Sequence, residues 1–374
     1  MDFRIDREAA LETGIDPARL DRVADLFRGQ LLEERLHPGA SLTIRKHGRI
    51  ILEAWGGSMR PGADEPVVTP ETLFLIFSAT KPLTATAIHM LVERGQLDIE
   101  APVADYWPGF AKNGKDAVTV RHVLTHQGGF PTGPGWLTWE HWRTREKIVR
   151  AMEERPLRWE PGAQTGYHAL NFGWVLGELV HRIDGRSLGT FLTEEVFRPL
   201  DLRDSWLGLP RDEHPRVARL IDLSKNHQYI PDFNRPEVHA AECGAATGIT
   251  TTRDLSRFYS MLVAGGEIDG VNLLKHETVT GATAVAVSTE RDSTLGVPMN
   301  WGLGFLVARD PSPYGAKANA RTFGHTGQGC TVGWGDPTRG LAVAYFTNGV
   351  QESVANFLRN SRMSDAILEA TTPL

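Results

Sequence analysis

The 374 residues carry 46 acidic and 40 basic side chains, a formal net charge of -6, and 41% hydrophobic residues. That balance is ordinary for a soluble globular protein, which at roughly 100–200 residues per domain should have two domains, and the mild charge with no long basic run argues against a nucleic-acid partner. The start, Met1-Asp2-Phe3-Arg4-Ile5-Asp6, is charged and lacks the apolar stretch of a signal segment, and no apolar run is long enough to span a bilayer, so a cytoplasmic chain with no membrane partner is expected.

Residues 17 to about 36 read as an amphipathic helix, and 39–45 with 49–55 as a β-hairpin across Lys46-His47-Gly48. The apolar run Leu73-Phe74-Leu75-Ile76-Phe77 leads into Ser78-Ala79-Thr80-Lys81, after which Leu83, Ala87, Ile88, Leu91 and Val92 recur at helical spacing. Pro82 is tolerated only in a first turn, so the helix starts close to Ser78. Three residues apart at that start, the Ser78 hydroxyl and the Lys81 amine share one helix face. Free backbone N–H groups and the positive end of the helix dipole favour an oxyanion there. Lys81 adds a cation or, if deprotonated, a base.

From Ser78 to about residue 202 the chain reads as mostly helical, with breaks at 131–135 and 161–162. His122 and His126 stand at i, i+4, yet no glutamate completes H-E-x-x-H and no third ligand is evident, so no metal is expected. Trp136, Trp139 and Trp142 follow a Pro/Gly loop; they pack a helix or line an acyl or alcohol pocket, with Trp136 the candidate substrate contact. The turn Trp159-Glu160-Pro161-Gly162 precedes Gly166-Tyr167-His168-Ala169-Leu170-Asn171, which opens an apolar helix to about residue 183. Tyr167 then lies near a helix start, and its phenol takes the serine proton if a neighbouring cation, for which Lys81 is the candidate, lowers its pKa. Gly185-Arg186-Ser187-Leu188-Gly189 matches the G-x-S-x-G nucleophile elbow, but a helix rather than a strand precedes it, so Ser187 is expected to cap the next helix.

Thr252-Arg253-Asp254 caps another helix, strands return at 300–308, 320–325, 329–335 and 341–347, and a helix from 351 to about 369 closes the chain. Phe323-Gly324-His325-Thr326-Gly327-Gln328-Gly329 and the segment after it read as an antiparallel hairpin whose glycines let a strand edge approach a substrate. Cys243 and Cys330 give neither a disulfide framework nor a C-x-x-C spacing, and Cys330 reads as a small strand residue near the site. An antiparallel sheet built from both chain ends, with a helical insertion between them, is the simplest arrangement. The expected fold class is α+β: a discontinuous domain of residues 1–76 and 245–374 around the sheet, and a helical domain of 77–244.

S-x-x-K at 78–81, a tyrosine at 167 and H-T-G at 325–327 together resemble the serine β-lactamase and penicillin-binding protein superfamily, most closely its class C-like branch and, within it, the family VIII carboxylesterases. The likeness extends to 118–129, 244–255 and 300–305, and so covers nearly the whole chain. It implies the β-lactamase/transpeptidase-like fold, with helices flanking the antiparallel sheet, and no cofactor. It implies Ser78 as nucleophile, Lys81 as its proton partner, Tyr167 as general base, and an oxyanion hole from the backbone N–H groups of Ser78 and Gln328. His325 would take the place of the lysine in K-T-G, with Thr326 and Gly327 beside the substrate. Where class C enzymes read Tyr-x-Asn, this chain has Tyr167-His168-Ala169, with Asn171 two places late. A small neutral ester is therefore the expected substrate: an imidazole with a pKa of about 6.5 attracts a carboxylate weakly at neutral pH, and Ala169 has no side-chain amide. The alternatives are an amide hydrolase of the same superfamily, an acyltransferase sharing the acyl-enzyme, and a non-catalytic binding protein on the same fold.

Overall fold

In the computed structural model, Leu341, Val343 and Tyr345 enter one apolar core while Ala342, Ala344 and Phe346, alternating with them along the same strand, enter another. A sheet therefore separates two layers of helices. The structure describes residues 1–60, 62 and 66–372. Among these, the main sheet has nine strands: β1 (Asp2–Ile5), β2 (Gly39–Lys46), β3 (Arg49–Gly57), β4 (Val287–Thr289), β5 (Met299–Trp301), β6 (Leu306–Val307), β7 (Phe323–Gly327), β8 (Thr331–Asp336) and β9 (Leu341–Thr347). They lie in the order β1-β3-β2-β9-β8-β7-β6-β5-β4, all antiparallel. The early hairpin thus pairs with the last strand, from Ala40 opposite Thr347 to Lys46 opposite Leu341. Its turn, His47-Gly48, has φ of +47° and +80°, the backbone that a two-residue hairpin loop requires.

Five helices frame the sheet and the site: α1 (Pro17–Arg28), α2 (Lys81–Glu93), α3 (Asn171–Asp184), α4 (Thr252–Val263) and α5 (Ser353–Ala370). Asp16 caps α1 by accepting from the Ala18 amide at 2.9 Å, and one π-helical turn carries α1 on to Glu33, short of residue 36. Leu20, Val23 and Phe27 of α1 join Met363 and Ile367 of α5 on the Val343 side of the sheet. On the other side α4 lies against β8, β9 and β2. Gly333 and Gly335 allow that approach, since a Cβ at either would stand 2.6 Å from the Tyr259 ring or 2.5 Å from Val263.

The helical stretch after Ser78 is more broken than its periodicity suggests, with short helices such as Val120–Leu124 between the longer α2 and α3, and Leu188–Leu192 after α3. Ser187 does cap Leu188–Leu192, accepting from the Thr190 amide at 3.2 Å. Four boundaries differ from expectation. α3 begins at Asn171, so Tyr167 lies in the preceding loop; Thr251, not Thr252, caps α4; Cys330 occupies the buried turn between β7 and β8 instead of a strand; and the segment 300–308 divides into β5 and β6 around Gly304, whose φ is +92°. Both cysteines are buried and free. Among the described residues no helix is long and apolar enough to cross a membrane.

The larger core combines Phe258 and Phe323 from the sheet side with Val123 and Phe172 from the helical stretch. Helix α2 runs through it, buried at every position from Lys81 to Leu91. A lysine at its first position is consequently taken out of water by the fold itself.

Candidate active site

Ser78 sits in a single 3-10 turn, Phe77–Thr80, that joins the extended pair Phe74–Leu75 to α2. Phe77 has φ +47°, a left-handed backbone costly for a side chain of its size and sustained only where neighbours over-determine it. They do so here. Its ring packs 4.8 Å from that of Phe233, Thr80 Oγ1 donates to the Phe77 carbonyl at 2.6 Å, and Thr331 Oγ1 donates to the Ile76 carbonyl at 3.0 Å. Ser78 is half-buried between the buried Phe77 and Ala79.

Lys81 Nζ lies 3.2 Å from Ser78 Oγ, 2.7 Å from the Tyr167 hydroxyl, 2.8 Å from the Ala169 carbonyl and 3.2 Å from the Ala245 carbonyl. The Tyr167 hydroxyl is 2.6 Å from Ser78 Oγ, which closes a triangle of serine, lysine and tyrosine. None of the four partners of Lys81 is a carboxylate. Burial without a counter-charge pushes its pKa down from 10.5 to about 7. A neutral amine has two N–H donors and one lone pair; the two carbonyls take the donors, which leaves the lone pair for the hydroxyls. Burial also raises the Tyr167 phenol well above its usual range, only partly opposed by its hydrogen bond to Ser78. The expectation that a cationic Lys81 lowers the tyrosine is thus reversed: desolvation acts on both groups and favours the neutral form of each.

His325 on β7 is buried beside Lys81, and both effects, burial first, hold its pKa down at about 3. Its Nδ1 donates to the Thr326 carbonyl at 2.7 Å, so the ring is neutral with Nε2 as an acceptor. Gly327 closes the strand against the Ser78 turn so tightly that a Cβ there would collide with the Ile76 carbonyl and Thr331 Oγ1. Gln328 follows it, half-buried, with its side-chain amide 3.3 Å from His227. Thr326 is half-buried too. Trp136 is 42% exposed, and its ring packs edge-on against His141. Asn171 turns away into the core, its Nδ2 donating to the Phe130 carbonyl at 2.7 Å, while position 169 offers Lys81 a backbone carbonyl where an asparagine would offer an amide.

Three contributors were not singled out from sequence. The buried carboxylate of Asp292 accepts from the Tyr167 amide at 2.9 Å and from the amides of Thr294 and Leu295, which anchors the tyrosine loop to the segment before β5. Trp301 stacks on the Tyr167 ring at 5.6 Å and 10°. His126, considered above only as a zinc ligand, packs 4.8 Å from the Tyr167 ring and takes the His168 amide on Nδ1 at 3.1 Å. The Asx-turn pattern of Asp292-Ser293-Thr294 is legible locally, but its partner 125 positions away is not. Among the described residues no cluster of His, Cys, Asp or Glu is arranged to hold a metal ion.

The model of the family described as Beta-lactamase matches residues 27–366. This chain belongs to the beta-lactamase family. As a beta-lactamase-family serine hydrolase, it is 35% identical over 361 residues to the Esterase/beta-lactamase LipL of Mycobacterium tuberculosis, covering 87% of this chain and 79% of that protein. A penicillin-binding protein homologue from Caulobacter crescentus superposes with a TM-score of 0.87 at 31% identity, over 99% of this chain and 100% of the other. A family VIII carboxylesterase gives 0.86 at 27%, with the same coverage. The family fold thus extends over the sheet and over the segments that carry Ser78, Lys81 and Tyr167.

Proposed function

We propose that this beta-lactamase-family chain hydrolyses small carboxylic esters through an acyl-enzyme on Ser78. The observation that carries the preference for esters is the neutral, buried His325 at the position where the K-T-G pattern has a permanent cation for a substrate carboxylate. A neutral ester needs no such clamp, and its better leaving group tolerates a site that also lacks the side-chain amide at position 169. The carboxylesterase neighbour and the esterase half of LipL's name, Esterase/beta-lactamase, support the same substrate class.

In this reading Ser78 Oγ attacks the ester carbonyl as its proton passes to the Tyr167 oxygen and the phenol proton to the neutral Lys81 amine, leaving tyrosine neutral and lysine charged. The carbonyl oxygen, now negative, takes the backbone N–H groups of Ser78 and Gln328. Collapse expels the alcohol, which receives the proton back along the same path. Water, deprotonated by the same pair, then releases the acid and restores Ser78.

The test compares kcat/KM for a p-nitrophenyl acyl ester with that for a chromogenic cephalosporin, after a phosphonate probe has been mapped by mass. The expected result is an adduct on Ser78 and a far higher value for the ester. An adduct on the Ser187 peptide overturns the nucleophile, and a cephalosporin value equal to or above the ester's makes the chain a β-lactamase.

A further inference from the structure

The loop 164–168, which carries Tyr167, belongs to no helix or strand, so its backbone amides have no ladder to enter and must find partners elsewhere. Three consecutive ones are taken by only two residues. Gly166 donates to the His126 carbonyl at 2.9 Å, Tyr167 to the Asp292 carboxylate at 2.9 Å, and His168 to His126 Nδ1 at 3.1 Å. His126 thus holds the residues on both sides of the tyrosine, once through its backbone and once through its ring. The same ring packs 4.8 Å from the Tyr167 ring and 4.5 Å from that of Trp301, which itself stacks on Tyr167.

His126 follows the short helix Val120–Leu124 and has φ +59°, in the left-handed region that histidine and asparagine enter more readily than most residues. Its ring is buried, and because Nδ1 accepts from an N–H, the proton of the neutral imidazole sits on Nε2. Burial above all holds its pKa well below 6.5, so the acceptor persists at neutral pH. His122, four residues earlier, does something else: its Nδ1 accepts from the Thr119 amide at 3.2 Å in the capping box that starts the same helix. The two histidines at zinc-like spacing are therefore divided between capping a helix and holding the tyrosine loop. A further contact keeps the segments together, the Phe130 amide donating to His168 Nε2 at 3.1 Å.

We propose that His126 is a positioning residue for the reaction at Ser78: together with Asp292 it fixes the backbone of Tyr167, so that the phenol oxygen stays within reach of both Ser78 Oγ and Lys81 Nζ. That oxygen stands at the far end of a rigid ring, where a small tilt of the backbone is magnified. It must also meet two atoms at once, at 2.6 Å and 2.7 Å. A displacement of about 1 Å at a reacting group costs on the order of a hundredfold in rate. The role rests on the proposed reaction, in which the Tyr167 oxygen takes the serine proton, and adds to it the residue that aims that oxygen.

Two amide side chains test it. His126→Asn sets an oxygen where Nδ1 lies and tolerates the left-handed backbone, whereas His126→Gln carries its amide on to the Nε2 position. With a p-nitrophenyl ester, kcat should fall at most about tenfold for His126→Asn and about a hundredfold for His126→Gln, with KM within about threefold in both. In a Tyr167→Phe chain, which has no phenol oxygen to aim, His126→Gln should cost nothing further; a purely structural defect would cost as much there as in the wild type. Where His126→Gln does not fold, His126→Gly replaces it, since glycine adopts that backbone freely and removes the acceptor. The rate at which a phosphonate labels Ser78 is read on the same chains, and decides the comparison if esters are not turned over. Equal kcat and labelling rates for the two amide variants, or a His126→Gln loss undiminished in Tyr167→Phe, overturns the role of His126 and leaves the ester reading standing. A Tyr167→Phe chain as active as the wild type overturns the proposed proton path and the positioning role with it, as does a wild-type chain that neither turns over esters nor labels.

Discussion

On the proposed mechanism the neutral form of Lys81 is the reacting one, and this sets the expected pH dependence. With its pKa lowered to about 7, the amine is charged below that value and neutral above it, so kcat/KM rises with pH and levels off past neutrality. At pH 6 about a tenth of the molecules carry the neutral amine and at pH 5 about a hundredth, which predicts a fall of roughly a hundredfold from plateau to pH 5. His325 and His168, each pushed down to about 3, contribute nothing in this range, and Tyr167, pushed up, gives no descending limb near neutrality. The assay is the initial rate on a p-nitrophenyl ester between pH 4.5 and 9, with spontaneous hydrolysis subtracted and the fold checked by circular dichroism at each end. Lys81→Arg, whose guanidinium stays charged throughout, should lose roughly 10²–10⁴-fold at every pH. A profile flat from pH 5 to 8, or one with its midpoint well above 8, refutes the assignment of a neutral amine.

Tyr167→Phe keeps the ring stacked on Trp301 and removes only the hydroxyl, so it should fold normally and lose about 10²–10⁴-fold in kcat. If the hydroxyl and the amine hand on one proton as proposed, the Lys81→Ala, Tyr167→Phe double should be little worse than either single; losses that multiply would show two independent groups. Gly327→Ala forces a Cβ into the Ile76 carbonyl and Thr331 Oγ1, and should cost roughly 1–3 kcal/mol of stability together with most of the activity. Gly281→Ala, on a helix with open space around it, is the control, and a Gly327→Ala chain that melts and turns over like it contradicts the close approach of β7 to Ser78.

Ser78 and Lys81 were legible because the signals that mark them are local: an apolar run, a proline at the second helical position and a helical repeat behind it. The H-T-G hairpin was legible for the same reason, and β7 pairs β8 with Gly327 opposite Thr331. Helix ends moved by one to four residues because caps are decided by single hydrogen bonds, as with Thr251. The electrostatics of the site were not local. Whether Lys81 is a cation depends on α2 being sheathed on both sides by segments far away in the chain, and no window around residue 81 contains that information. Asp292 is the same case. The neutral state of His325 was anticipated from an ordinary imidazole, but its depth came from burial next to Lys81.

The order of strands across the sheet also constrains synthesis. Residues 39–46 leave the ribosome early and find their partner only when residues 341–347 follow, and the hairpin that packs against the Ser78 turn is made just before those. Sheets closed by such distant pairings form late and slowly. The segment bearing Ser78 therefore waits through most of translation without the strand that completes its surroundings, so on the proposed function a growing chain would lack a complete site until residues 323–347 have been made.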